Sequence, residues 1–262
     1  MNTLTQRARD SVLWGGFRVW QRNWDAFLRS WKVEVGGIVV EPFIFLITLG
    51  FGLGFYIQNI DGASYAQFLA PGVVAAYSMF HATFDSTFGA YLRMEANHIY
   101  EAILFTPLGP EDIVVGEVMS AATRGLLSGT VVVLAATMFG LVGSPLAVLA
   151  IPAAYLIGLM FAAIAMLMTA TASTIGAMNN FFTLFILPMF YVSGVFFPLD
   201  QLPQPVQIAS RFLPLTPAVS LVRGLMTGDL SWLTLLWLAQ IVAYLVVSLV
   251  IASALMRRRL IK

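Results

Sequence analysis

Residues 131–142 read VVVLAATMFGLV, an apolar run in which polar and apolar positions do not alternate. Only α-helices and closed β-barrels satisfy every backbone polar group within lipid. Barrel strands alternate in polarity over about ten residues, so this run is read as helix. Outward from it the same character recurs, giving six apolar segments at 35–57, 68–92, 113–141, 146–171, 178–197 and 232–256. Each is long enough for the roughly 20 residues that a 30 Å hydrocarbon layer demands. The composition agrees: of 262 residues, 59% are hydrophobic and 10% charged, against about 25% charged in a soluble domain. Mean hydropathy is +0.85. The expected fold is an all-α polytopic membrane protein with six transmembrane helices. A soluble enzyme, a nucleic-acid-binding module and a disordered adaptor are excluded.

An even number of spans places both termini on one side. Ten of the 14 basic residues lie near the ends: Arg7, Arg9, Arg18, Arg22, Arg29 and Lys32, then Arg257, Arg258, Arg259 and Lys262. Lys and Arg mark the cytoplasmic face, so both termini are expected there. Loops 58–67 and 142–145 lack Lys and Arg, as outer loops would; loop 93–112 has only Arg93 beside Glu95, Glu101, Glu111 and Asp112. The first apolar stretch is interrupted by Arg and Trp with no small-residue cleavage site after it, so it reads as a retained anchor rather than a signal peptide. With no cysteine in the chain, disulfides, zinc–thiolate sites and thiol catalysis drop out. The net charge of +1 provides no field that would draw nucleic acid.

Two regions depart from plain spans. Residues 11–32 carry Trp14, Phe17, Trp20, Trp24, Phe27, Leu28 and Trp31 on one arc, with Arg18, Arg22, Asp25, Arg29 and Lys32 opposite. This is an amphipathic helix suited to the inner membrane interface. Between Pro188 and Pro217 fall six of the 12 prolines, a density no straight helix accommodates. The fifth span should end near Pro198. Short helices over about 198–230 would then dip into the outer leaflet without crossing it, lining or capping a route.

The chemistry is notable for its gaps. Lys32 and Lys262 are the only lysines, and neither follows a glycine-rich phosphate loop. With only His81 and His98, a multi-histidine metal site is not expected. No catalytic constellation, cofactor site or metal site is expected in the chain. What remains is a set of ionisable residues at membrane depth: Glu41, Asp85, Glu117 and Arg124. Counted at about 1.5 Å per residue, they lie some 8–18 Å from the inner boundary. Glu117 and Arg124 share a helical face. Each costs a few kcal/mol or more in lipid unless paired or hydrated. A polar inner vestibule and interhelical salt bridges that lock packing both fit. His81 shares a face with Asp85, and Pro42 with Gly50, Gly52 and Gly54 makes the first span pliable. In loop 98–117, Ile99, Ile103 and Leu104 form an apolar edge before the Thr106–Pro107 break, suited to docking in a partner's groove.

At this loop the chain resembles the type-2 ABC exporter permeases, most closely those of the nodulation-factor and daunorubicin-resistance type. The stretches that carry the resemblance are EPFIFLITLGFGLG (41–54), FLAPGVVAAYSMFHATFDSTFGAYLRM (68–94), YEAILFTPLGPEDIVVGE (100–117), FPLDQLP (197–203) and LPLTP (213–217). The resemblance implies a cytoplasmic N-terminus and connecting helix over 1–34, carrying Trp14, Trp20, Trp24 and Trp31. It implies a six-span domain over 35–262, with a coupling loop at about 93–112 and re-entrant helices at about 198–230. ATPase contacts would come from Ile99, Glu101, Ile103, Leu104 and Phe105. Two copies would pair with two separate ATPase subunits holding ATP and Mg in the bacterial inner membrane. The cargo would be a lipid-linked glycan, lipo-oligosaccharide or amphipathic drug. The rival class is a proton-coupled secondary transporter using His81, Asp85 and Glu117. A membrane enzyme is a third option.

Overall fold

The computed structural model describes residues 12–57, 59–60 and 62–261. Arg7, Arg9, Ser11 and Lys262 lie outside the described residues. Helix α1 spans Val12–Val35. The backbone stays helical beyond it, through a π-helical turn at Gly36–Val40, an α turn at Glu41–Phe45, a second π segment at Leu46–Gly52 and a tight turn at Leu53–Phe55. The expected interfacial helix and first span are therefore one run, Val12–Phe55. Pro42 does not break it. Proline removes one i→i−4 hydrogen bond and its ring collides with the carbonyl four residues back; the wide turn just before it makes that room. Pro188 repeats the device, following the π-helical turn Phe182–Ile186.

A two-stranded hairpin, β1 (Asn59–Ile60) and β2 (Ala63–Ser64), leads into α2, Tyr65–Phe84. Ser64 and Gln67 cap α2 reciprocally. The helical path continues through π-helical turns at Asp85–Gly89 and Leu92–Ala96. After it come α3 (Ile99–Leu104), α4 (Pro110–Met138), α5 (Ala150–Thr171), α6 (Ile175–Phe181), α7 (Gln204–Ser210), α8 (Leu215–Thr227) and α9 (Trp232–Leu260). The path of α6 carries on through its π turn to Val192, short of the expected end near residue 197.

Among the described residues, five helical segments are long and apolar enough to cross a membrane: Val12–Phe55, Pro110–Met138, Pro145–Thr171, Ile175–Val192 and Trp232–Leu260. The expected second span is helical, but α2 is not among the five. The reason is its position. Sixteen of the 20 residues of α2 are buried, packed among α4, α5 and α8. A helix enclosed by protein can carry Gln67, Ser78 and His81, where one facing lipid would carry only apolar residues.

Small residues let these helices approach closely. A Cβ on Gly125 of α4 would lie 2.6 Å from the Ser78 carbonyl oxygen of α2, and one on Gly158 of α5 would lie 2.9 Å from Ala122 Cα. Gly125→Val should therefore destabilise the detergent-purified protein by about 1–3 kcal/mol, the usual range for overpacking, read as a lower denaturation temperature. Gly52→Val is the control, since nothing lies within 4 Å of a Cβ there; it should leave that temperature unchanged.

Candidate functional site

A groove of about 900 Å³ runs between the first helical path, the lower half of the α2 path, Arg124 of α4, and Phe182 with Leu187 on the α6 path. Its walls are aromatic: Tyr77, Phe80, Phe84 and Phe88 from α2 and its extension, and Phe182. Phe80 stacks on Phe182 at 6.0 Å between ring centroids, and Phe84 meets Phe88 at 4.9 Å. Four π-helical turns contribute to the lining, through Gly37, Asp85, Arg93 and Phe182.

One end of the groove is charged. Arg93 donates to Glu117 through Nη2 at 2.5 Å and Nε at 3.2 Å, and to Asp85 through Nη1 at 3.2 Å. Glu117 is fully buried and Asp85 is 5% exposed. Arg124 pairs with Glu34 on the first helix and approaches Asp85 Oδ1 at 3.5 Å. Three carboxylates and two guanidinium groups thus form one network. The π turns set its geometry. Eight residues make about 2.2 revolutions of an α-helix; wide turns take more residues per revolution, which brings Arg93 back over Asp85. A side chain at Gly89 would meet Asp85 Oδ1 at 2.5 Å, so glycine there leaves space for the pair.

The structure brings Asp85, Glu117 and Arg124 together, but not Glu41. Glu41 is exposed along the groove, and its carboxylate accepts a long bond from the Tyr77 hydroxyl at 3.5 Å. Arg124 pairs instead with Glu34, seven residues earlier on the same helical path. Arg93 and Glu34 were missed because one was assigned to a loop and the other to the cytoplasmic segment. The signal for Arg93 was its spacing from Asp85 on a helix that continues past Leu92. His81 lies 3.9 Å from where a Gly37 Cβ would be, and its ring is 6.3 Å from that of Tyr77. It faces the groove rather than an acid.

Beyond the charged end lies α3. Glu101 is exposed and Phe105 is 92% exposed, while Ile99 and Leu104 are half-buried. Ile103 is a correction: it is buried against the rest of the chain, so it is packing rather than an edge open to a partner. Tyr100 is fully buried beside it, and burial, with the Glu117 charge next, pushes its phenol well above the ordinary range. The C-terminal arginines bind this region together. Arg259 donates to the Thr169 and Ala172 carbonyls at 2.6 and 2.7 Å, satisfying the end of α5, and to Glu95 at 2.7 Å. On α1, Trp14, Phe17, Trp20, Trp24 and Phe27 form a ladder with successive centroids 5.2–6.1 Å apart. Trp14 and Trp31 are exposed, whereas Trp20 is half-buried and donates to Thr123 Oγ1 at 2.9 Å.

Residues 17–227, which include the groove, its charged end and α3, match the family model described as ABC-2 type transporter. The chain belongs to the ABC-2 type transporter family. Nodulation protein J of Rhizobium leguminosarum bv. viciae is 38% identical over 244 residues, 93% of this chain and 94% of that protein. Nodulation protein J of Rhizobium meliloti is 36% identical over 94% of each. The inner membrane transport permease YadH of Escherichia coli is 25% identical over 81% of this chain and 82% of its own length. This ABC-2 protein is an integral membrane subunit of an ABC transporter.

Removing Arg93 would leave two carboxylates buried without their shared cation, a loss of about 3–5 kcal/mol. Arg93→Ala should sharply reduce monodisperse protein in detergent, and Glu117→Gln in the same chain should restore part of it. Glu41→Gln should shift stability by less than about 0.5 kcal/mol. Size-exclusion profiles and thermal melts of the variants measure all three.

Proposed function

We propose that this chain is the permease half of an ATP-driven exporter, in which two copies pair with two ABC ATPase subunits. The observation that carries the reading is the aromatic groove between the first and fifth apolar helices, closed at one end by buried ion pairs and adjacent to a cytoplasmic helix with an exposed Phe105. Six crossings are proposed, with the α2 path as the second, and α7 with α8 as re-entrant helices at the outer face. Helix α1 lies at the inner interface, and the chain from residue 35 onward forms the transmembrane domain. Both termini are cytoplasmic in the bacterial inner membrane, where lipid meets Trp14 and Trp31. ATP and Mg bind the partner subunits.

The cargo is an amphipathic molecule of the lipid-linked glycan or lipo-oligosaccharide class. Aromatic faces stack on sugar rings and pack on acyl chains alike, and near full-length similarity to Nodulation protein J supports this class. A second copy placed against the groove would enclose it, since the helices on either side of it, Val12–Phe55 and Ile175–Val192, leave most of their surface uncovered. Proton-coupled transport through His81, Asp85 and Glu117 has less support, because Arg93 bridges both acids in ion pairs and His81 faces the groove rather than either of them.

Co-purification with an ABC ATPase subunit and cargo-stimulated ATP hydrolysis in proteoliposomes test the reading. A complex whose hydrolysis ignores cargo, or export that follows a proton gradient without ATP, overturns it. Phe105→Asp should abolish ATPase co-purification while leaving membrane insertion and melting behaviour intact, whereas Ile103→Asp should impair folding itself. A reporter fused after the last residue should register cytoplasm; a periplasmic signal would contradict the six-crossing topology.

A further inference from the structure

We propose that Glu41 is the specificity-determining residue of the aromatic groove. Its carboxylate accepts hydrogen bonds from hydroxyl or ammonium groups on the cargo's sugar head, and it disfavours a head that carries phosphate. This role rests on the exporter reading above and narrows the cargo class named there.

The charge balance of the groove leads there. Arg93 and Arg124 line it, but both are engaged: Arg93 pairs with Asp85 and Glu117, and Arg124 pairs with Glu34 and approaches Asp85. Among the described residues no Lys or Arg pairs with Glu41, and no lysine lines the groove. Glu34, Glu41, Asp85 and Glu117 thus set four carboxylates against two guanidinium groups. Even with one proton shared between Asp85 and Glu117, Glu41 leaves the groove negative. His81 adds no fixed charge at pH 7. The groove therefore holds no cation free to receive a phosphate.

Glu41 is also placed to bind. An acid within a membrane-spanning helix is costly unless it is paired or wet, and such residues mark ligand pathways. Glu41 lies within the apolar run Val12–Phe55 and is exposed along the groove. Tyr77 steadies it: the phenol ring meets Phe45 edge-on at 5.6 Å and Phe80 at 5.9 Å, and its hydroxyl donates to Glu41 Oε1 at 3.5 Å. A carboxylate has about four acceptor positions, so most of its capacity stays open to a ligand. Aromatic faces beside it suit the C–H face of a sugar and attract an ammonium group. Their negative faces and the carboxylate both repel phosphate.

Gly37→Cys places a lone thiol in the groove, four residues before Glu41 in a chain without cysteine. In nanodiscs holding the ATPase-bound complex, protection of that thiol from a maleimide reports occupancy of the groove. The probes are dodecyl glucoside, its 2-amino counterpart and its 6-phosphate, each below its micelle concentration. The amino sugar should protect at lower concentration than the phosphate sugar. Adding Glu41→Gln should shrink the ratio of their half-protecting concentrations about ten-fold, the factor that one hydrogen bond to a charged group carries. Partition into lipid cancels when each probe is compared across the two proteins. Weaker protection of Glu41→Gln by the plain glucoside as well identifies hydroxyls as the donors; weaker protection by the amino sugar alone identifies the ammonium. Melting temperature should not change. A ratio that Glu41→Gln leaves unaltered, or equal protection by all three probes in the protein that keeps Glu41, would overturn the proposal and leave the exporter reading intact. So would a lower melting temperature of Glu41→Gln, by showing that the carboxylate holds the fold or a second copy. Protection by none of the probes would overturn the groove as cargo route as well.

Discussion

The guanidinium of Arg93 lies between two carboxylates that have almost no contact with solvent, and the central part of the molecule is arranged to permit this. Desolvating such ions costs several kcal/mol each, repaid only when geometry is good and the remaining hydrogen-bonding positions are used. Arginine suits the role because its planar fork reaches two acceptors at once and stays charged. The π turns that return Arg93 over Asp85, the missing side chain at Gly89 and the enclosure of α2 by α4, α5 and α8 each serve that geometry. The same enclosure lets α2 carry Gln67, Ser78 and His81.

From this network the functional features extend in two directions. Toward the membrane, aromatic rings on the α2 path and Phe182 wall the groove that Asp85 and Arg93 close. On the other side, α3 presents Phe105 outward and Tyr100 inward. Arg259 fastens the last helix to the end of α5 and to Glu95. One arginine of the C-terminal basic run thus ties the turn before α3 to the end of α5.

Much of this was legible in the sequence because lipid imposes simple rules. Apolar runs of about 20 residues marked the helical segments, and the proline cluster marked where α6 gives way to the short α7 and α8. The misreadings have physical causes. Arg93 looks like a loop residue by polarity, yet the helix runs on to Ala96, because a polar residue paired inside protein needs no loop. Ile103 is apolar and lies on a docking-like helix, but periodicity does not say whether an apolar edge meets a partner or the chain's own core. Glu41 matches Asp85 in depth, but Glu34 on the same helical path takes Arg124, and depth counting does not say which acid a cation meets. The π turns preceding Pro42 and Pro188 leave no signal in hydropathy. With them the first helix runs unbroken from Val12 to Phe55, although the chain was expected to divide near residue 34 into an interfacial helix and a span.

The central claim, that cargo passes through the aromatic groove, is most directly tested by blocking the groove chemically. A Cβ at Gly37 would face the groove and meet only His81, at 3.9 Å, so Gly37→Cys adds the chain's sole thiol without a clash. In proteoliposomes containing the ATPase-bound complex, the unlabelled variant should export cargo normally. Attachment of a bulky maleimide should stop export while ATP hydrolysis persists. Export continuing at the unlabelled rate after complete labelling would contradict the account.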